Sequence, residues 1–207
     1  MKKPLSKAER TKNFIIKSTA EIFNKKGYAG TSLSDLTNAT GLTKGSIYGN
    51  FENKEEVALA VFDYNYGELT AMIQLQIKVA TTYQEKLMVY PLVYKNIYND
   101  VSAKGGCPVL NTAVESDDTN SQLKDKAAKA LLKWEKNISS VIAQGIAAGE
   151  FKEPKNIRQI ALSMIALIEG GLMIAKVTDD PSSMDIVLST VEGIILRMLV
   201  AAPADQM

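Results

Sequence analysis

Apolar residues in this chain recur every three to four positions, with no convincing alternation of period two. A period near 3.6 belongs to an amphipathic helix and a period of two to a half-buried strand, so the pattern predicts an all-α fold. Start and stop signals divide it into about nine helices. Ser6 and Glu9 form a capping-box pair. Behind them Ile15, Ile16, Ile22 and Phe23 keep helical spacing as far as Lys25, Lys26 and Gly27, where glycine is read as the stop. Ser32 and Asp35 open a short second helix carrying Leu33, Leu36 and Ala39, which ends at Gly41. Thr43 caps a very short third, with Ile47 and Tyr48. Asn53 and Glu56 open a fourth of about 25 residues, through Val57, Val61, Leu69 and Ile77. A fifth starts at Thr82 and ends at Tyr98, with Pro91 expected to kink it. One or two turns follow between Val109 and Val114, then a long helix over 122–148. Pro154 and Pro181 are read as first-turn prolines of the last two helices.

The net charge of +1 conceals an asymmetry. Residues 1–50 carry nine cations against three carboxylates, a balance of +6, and the remainder carries 15 against 20, a balance of −5. A basic head on an acidic body suits a polyanionic partner. Solvated lysines on a helix face would give the same count. Catalysis has little to build on. The chain has no histidine, which removes Ser–His and Cys–His nucleophile systems, and one cysteine, which rules out a zinc constellation and an internal disulfide. Neither a GxxxxGK[ST] nor a GxGxxG run is present. The reading is therefore not an enzyme, with no cofactor and no metal.

The segment from 31 to 57 carries the function. A short helix, a turn on Gly41 and a second short helix make a helix-turn-helix, with Leu36, Leu42 and Ile47 spaced to pack it on the first helix. Gly41 can take the left-handed conformation of a sharp turn, and Gly45 leaves the second helix without a side chain where another backbone can approach.

The run GYAGTSLSDLTNATGLTKGSIYGNFENKEEV resembles the N-terminal domain of the TetR family of transcriptional regulators. The likeness covers residues 8–60 and rests on Gly27-Tyr28, Thr31-Ser32, Asp35-Leu36, Gly41-Leu42-Thr43-Lys44-Gly45-Ser46, Ile47-Tyr48, Phe51 and Lys54-Glu55. It implies that the helix over 43–49 enters the major groove of double-stranded DNA. Thr43, Lys44, Ser46 and Tyr48 are then readers or backbone contacts, and Gly45 is the point of close approach. Thr31 and Ser32 stand where a helix N-terminus and hydroxyls suit a phosphate, and Lys54 is placed to do likewise. Family members often carry a histidine or a second aromatic between the positions of Tyr48 and Phe51; here Gly49 and Asn50 stand there, and Asn50 is expected to contact phosphate rather than a base. Lys2, Lys3, Lys7 and Lys12 could track the backbone as an arm. Phe51 is expected in the core, and Tyr48 either in the core or at the groove. Thr43 and Ser32 cap their helices in any case, and Lys54 could instead pair within its own helix.

Residues 1–52 are read as the DNA-binding domain and 53–207 as a ligand-binding and dimerisation domain. The segment GGCPVLNTAVESDD (105–118) is similar to one found in a branch of TetR-like regulators. Cys107 within it is read as a loop or cap residue, with a thiol sensor as the alternative. In 157–176 one stripe is Ile160, Met164, Leu167, Gly171 and Ile174, and a second is Ile157, Ala161, Ile165, Ile168 and Leu172. A helix apolar on two faces needs two partners. The last helix repeats this with Val187, Val191, Ile194, Ile195 and Met198. Two such helices from each of two chains would form a four-helix bundle about a two-fold axis, as TetR-like proteins do. Ile160, Met164, Leu167, Gly171, Val191, Ile195 and Met198 are thus expected at the dimer interface. Met72, Met88, Tyr90, Tyr94, Tyr98, Trp134, Met164 and Met173 are adaptable side chains suited to a mostly apolar effector pocket. The apolar stretch 160–175 contains Glu169 and is read as a buried helix rather than a membrane span. The start, MKKPLSKAERTKN, lacks the apolar core of a signal peptide, so a cytoplasmic location is expected. The whole reads as a dimeric repressor of a palindromic operator, released by a small apolar or amphipathic molecule, with the fourth helix as the lever. The alternative is a DNA-binding regulator controlled by a protein partner, or one without an inducer.

Overall fold

The computed structural model describes residues 4–200, apart from the side chains at 97 and 99–101. The described residues form nine helices: α1 (Lys7–Gly30), α2 (Leu33–Thr40), α3 (Lys44–Tyr48), α4 (Lys54–Val79), α5 (Tyr83–Ala103), α6 (Pro108–Ser116), α7 (Ser121–Ala147), α8 (Ile157–Val177) and α9 (Pro181–Met198). An isolated antiparallel bridge joins Phe151 to Leu199. The all-α reading holds.

Local chemistry sets most of the ends. The Ser6 hydroxyl accepts from the Glu9 N–H while the Glu9 carboxylate accepts from the Ser6 N–H, a reciprocal cap of the kind that contributes about 1 kcal/mol. Asn53 caps α4 by accepting from the Glu56 N–H at 2.9 Å. Gly149, at φ 77°, follows α7 in the left-handed conformation.

Three boundaries differ from the sequence reading. Gly27 does not end α1. At φ 71° and ψ −179° it breaks the helix, and the chain then resumes for one turn to Gly30. That turn is capped from outside: the Glu115 carboxylate accepts from the N–H groups of Tyr28 and Ala29, both at 2.8 Å. Helix α5 runs through Pro91 and ends at Ala103, beyond Tyr98. Pro154 lies outside α8, which waits for the Asn156 side chain to accept from the Gln159 N–H at 3.1 Å. Pro181 does open α9 at its first turn, behind Asp180.

The chain divides into two compact units. The first runs up to Leu69 and takes in Ala103–Ala130; the second is Thr70–Ser102 and everything from Leu131 onward. The first unit therefore extends past residue 52, along α4, and includes α6 and the start of α7. Its core gathers Ile15, Leu36, Ile47, Phe51, Val57 and Val61, all almost fully buried.

In the second unit α8 packs along α9. Gly171 makes the close approach, since a Cβ there would lie 3.1 Å from the Met184 sulfur and from Val187. Met164, Gly171, Val191, Ile195 and Met198 are buried within this one chain, while Ile160 and Leu167 are half-buried. The apolar side chains left exposed on the pair are Leu162, Met173, Ile174 and Val177 of α8 and Ile186 and Leu196 of α9. Periodicity shows that a helix has two apolar faces but not which one its own chain consumes. By length and composition α8 is apolar enough to cross a membrane; here its inner face is buried on α9.

Candidate nucleic-acid interface

Helices α2 and α3 meet at Gly41, which sits at φ 67° and ψ 8° and donates its N–H to the Thr37 carbonyl at 2.8 Å. Left-handed backbone of this kind favours glycine. Thr40 completes the turn: its hydroxyl donates to the Leu36 carbonyl at 2.7 Å and accepts from the Leu42 N–H at 3.2 Å. Leu36 and Ile47, each 0% exposed, anchor the two helices inward. The Thr43 hydroxyl caps α3 by accepting from the Ser46 N–H at 3.2 Å. What remains outward is Thr43, Lys44 and Gly45, all exposed. Lys44 is the one charged residue between Asp35 and Glu52, so the outer edge of α3 presents no carboxylate of its own to a phosphate. A Cβ at Gly45 would meet nothing within 4 Å. Ser46 is half-buried, and Tyr48 packs partly against the core cluster.

The remaining candidates are tied into the protein. Thr31 is buried, and its hydroxyl donates to the Gly27 carbonyl at 2.6 Å. The Lys54 ammonium donates to the carbonyls of Tyr28 at 2.7 Å and Thr31 at 2.9 Å and lies 4.3 Å from the centre of the Tyr28 ring. It caps the last turn of α1, where a cation suits the helix dipole. The Asn50 amide donates to the Ser46 carbonyl at 2.9 Å and so closes the C-terminal end of α3. Lys12 lies 5.0 Å from the centre of the buried Phe51 ring and pairs with Glu56 at 3.3 Å. Lys7 is exposed at the start of α1; Lys2 and Lys3 fall outside the described residues.

Ser32 caps α2 together with Asp35. The Ser32 hydroxyl accepts from the Asp35 N–H at 3.1 Å, and the carboxylate accepts from the Ser32 N–H at 2.8 Å. Lys26 reaches the other Asp35 oxygen at 2.6 Å. The Lys26 hydrogen bond, then those from the Ser32 N–H and hydroxyl, hold the carboxyl far below the ordinary carboxylate range. A group depressed in the folded state stabilises above its unfolded value, near 3.9, and loses that contribution as the pH falls. An Asp35→Asn protein should therefore melt below the parent at pH 7, and the gap should close as melts are repeated below about pH 4.

The aromatic residues expected near an effector lie in the second unit. Trp134 stacks on Tyr94, with centroids 5.7 Å apart and planes 5° from parallel, and on Tyr90 at 6.4 Å and 27°. All three are buried. Met164 is fully buried, Met88 and Tyr98 are half-buried, and Met72 and Met173 stand exposed. The sequence reading missed Asn24, Asn111 and Glu115. Asn111 and Glu115 stand four apart on a nine-residue helix, hence on one face, but nothing local shows that this face meets α1.

The fold and its outward α3 define a helix-turn-helix DNA-binding regulator with a helical second unit. A family described as "bacterial regulatory proteins, tetR family" matches residues 15–61, and a "tetracyclin repressor-like, C-terminal domain" matches 84–191. The crystal structure of a TetR-family transcriptional regulator from Cytophaga hutchinsonii is 49% identical, with a TM-score of 0.90, covering 97% of this chain and 100% of that one. An uncharacterised helix-turn-helix transcriptional regulator of Lactococcus lactis is 31% identical over 173 residues, 82% of this chain and 85% of its own. The transcriptional regulator FadR of Bacillus subtilis, solved in complex with stearoyl-CoA, shares the fold at 22% identity, with a TM-score of 0.70 over 88% of this chain and 96% of that one. The chain belongs to the TetR family of bacterial transcriptional regulators, which are DNA-binding proteins and not enzymes.

Proposed function

We propose that this protein is a cytoplasmic homodimeric repressor that holds a palindromic operator through two copies of α3 and leaves it when a small apolar or amphipathic molecule binds the second unit. The observation that carries the reading is the edge of α3. Thr43, Lys44 and Gly45 are exposed, free of neighbouring carboxylates in sequence, and set on a buried base of Leu36, Ile47 and Phe51. Base contacts specify a sequence while phosphate contacts position the protein, so Lys44 and Thr43 are the readers. Ser32, Ser46 and Tyr48 border them. Thr31, Asn50 and Lys54 act by fixing the frame, because the Thr31 hydroxyl, the Asn50 amide nitrogen and the Lys54 ammonium donate to carbonyls of the protein itself.

Two further observations support the dimer and the effector. The exposed face of α8 and α9, with Val177 at 78% and Ile186 at 67%, is apolar surface that a second copy would cover. The Tyr90–Trp134–Tyr94 stack gathers three buried aromatic rings in the second unit, and a structural relative carries stearoyl-CoA. An effector shifts the balance only by binding one head arrangement more tightly than the other.

Selection of bound duplexes from a random-sequence pool tests the reading. A palindrome with half-sites about 34 Å apart, or a multiple of that, is expected. Recovery of unrelated sequences in proportion to the input would end it.

A further inference from the structure

Between Glu21 and Glu52 the sequence has a single carboxylate, Asp35. It stands in the first turn of α2, within the helix-turn-helix. A negative charge there faces the partner that the rest of the motif is built to attract. Capping α2 does not by itself call for a charge, since serine, threonine and asparagine cap helices as well.

The contacts of Asp35 show what the charge holds. One oxygen accepts from the Ser32 N–H at 2.8 Å and from the Ser32 hydroxyl at 2.7 Å. The other takes the Lys26 ammonium at 2.6 Å, although the Lys26 side chain is 52% exposed. The neighbouring donors are engaged too. The Thr31 hydroxyl donates to Gly27, and the Lys54 ammonium donates to the carbonyls of Tyr28 and Thr31. A helix N-terminus suits an anion, and here the anion is the chain's own. Lys44 differs: it is exposed and makes no ion pair among the described residues.

We infer that Asp35 restrains the sequence-independent hold of the head on DNA, by filling the phosphate position at the start of α2 with a carboxylate and by withholding Lys26 from the backbone. The first helix of a helix-turn-helix crosses the DNA backbone, so a charge at its start acts on phosphates. Phosphate contacts position a protein without reading sequence. Asp35 therefore sets how tightly the head holds any duplex, and leaves the choice of sequence to the edge of α3. This rests on the reading above that α3 enters the groove. A purely capping Asp35 would have the opposite effect on removal, because a loosened α2 binds every duplex more weakly.

The test uses the full-length parent, Asp35→Asn, Lys26→Met and the double variant. Each is titrated with the selected operator and with an unrelated duplex of the same length, by fluorescence anisotropy between about 50 and 200 mM salt. Thermal melts accompany each titration. Asparagine keeps the shape of the side chain and can still accept from the Ser32 N–H. Asp35→Asn is expected to melt lower and yet to bind both duplexes at least about threefold more tightly, with a slope of log affinity against log salt steeper by about 1 per head. Adding Lys26→Met should return that slope to the parental value. Lys26→Met alone leaves the Ser32–Asp35 cap in place and gives a reading even if Asp35→Asn does not fold. Its slope should match the parent's, and a slope shallower by about 1 per head would show Lys26 already on DNA and overturn the inference. Weaker or unchanged binding of both duplexes by Asp35→Asn overturns it as well, and so does a gain confined to the operator. Either result leaves the reading of α3 standing. A parent with no preference for its selected operator overturns that reading, and this inference with it.

Discussion

A Gly45→Leu protein is expected to melt no lower than the parent and to bind the selected operator at least about 100-fold more weakly, a loss of about 2.7 kcal/mol. The two halves of the expectation have separate causes. Glycine within a helix is disfavoured by about 1 kcal/mol relative to alanine, and a side chain at 45 would enter open space, with nothing within 4 Å of its Cβ. Folding therefore has nothing to lose. Binding has a great deal to lose if the backbone of α3 approaches the groove at this point, because a leucine there would hold Lys44 and Thr43 away from the bases. Each good base contact discriminates by about 1–3 kcal/mol, so displacing two accounts for the whole effect. Gly67→Leu is the matched control. Gly67 is exposed on α4 with the same open space around its Cβ, and the substitution should leave operator affinity unchanged. Parental affinity in Gly45→Leu would show that α3 does not approach DNA along this edge.

The largest effect on stability is expected at Gly145. A Cβ there would stand 2.2 Å and 2.3 Å from two carbons of the Phe151 ring and 3.1 Å from the Tyr83 Cβ. Phe151 is 2% exposed, so its ring has no solvent-side alternative that keeps the contacts. It also sits among hydrogen bonds that depend on its place. The Glu150 carboxylate accepts from the N–H groups of Tyr83 and Gln84 at 2.8 and 3.1 Å. The Lys152 N–H donates to the Met198 carbonyl at 2.7 Å, and the Val200 N–H to that of Glu150 at 2.9 Å. Moving the ring loosens the end of α7, the start of α5 and the end of α9 together. Gly145→Val should cost about 3 kcal/mol, which lowers the melting temperature of a chain this size by about 6–12 °C. A shift below about 2 °C would mean that the ring relocates without loss.

How much of this was readable beforehand depends on the range of the interaction concerned. The capping boxes at Ser6 and Ser32 and the turn at Gly41 are closed within three or four residues, and the sequence displays both partners. The extra turn of α1 after Gly27 is held by Glu115, 87 residues away from Tyr28, and no local pattern announces it. Lys54 and Asn50 illustrate the same limit from the donor side. The sequence displays the Lys54 amine and the Asn50 amide, but not which carbonyls, those of Tyr28, Thr31 and Ser46, receive them. Proline is tolerated in a first helical turn, so Pro154 reads as a helix start, whereas Asn156 supplies the actual cap. On α8 and α9 the apolar stripes were legible, yet their division between the chain's own core and its exposed face is decided by packing. Of the side chains read as suited to a pocket, Tyr90, Tyr94 and Trp134 stack in the interior, while Met72 and Met173 reach the surface.

Trp134 is the sole tryptophan of the chain, and its place in the stack gives the protein an uneven optical character. Under excitation selective for tryptophan, only the second unit emits, and it does so from a buried ring held nearly parallel to Tyr94. The head is dark. Any change in that emission is news from the unit where an effector would sit, and DNA held by α3 can alter it only by making itself felt through the rest of the molecule.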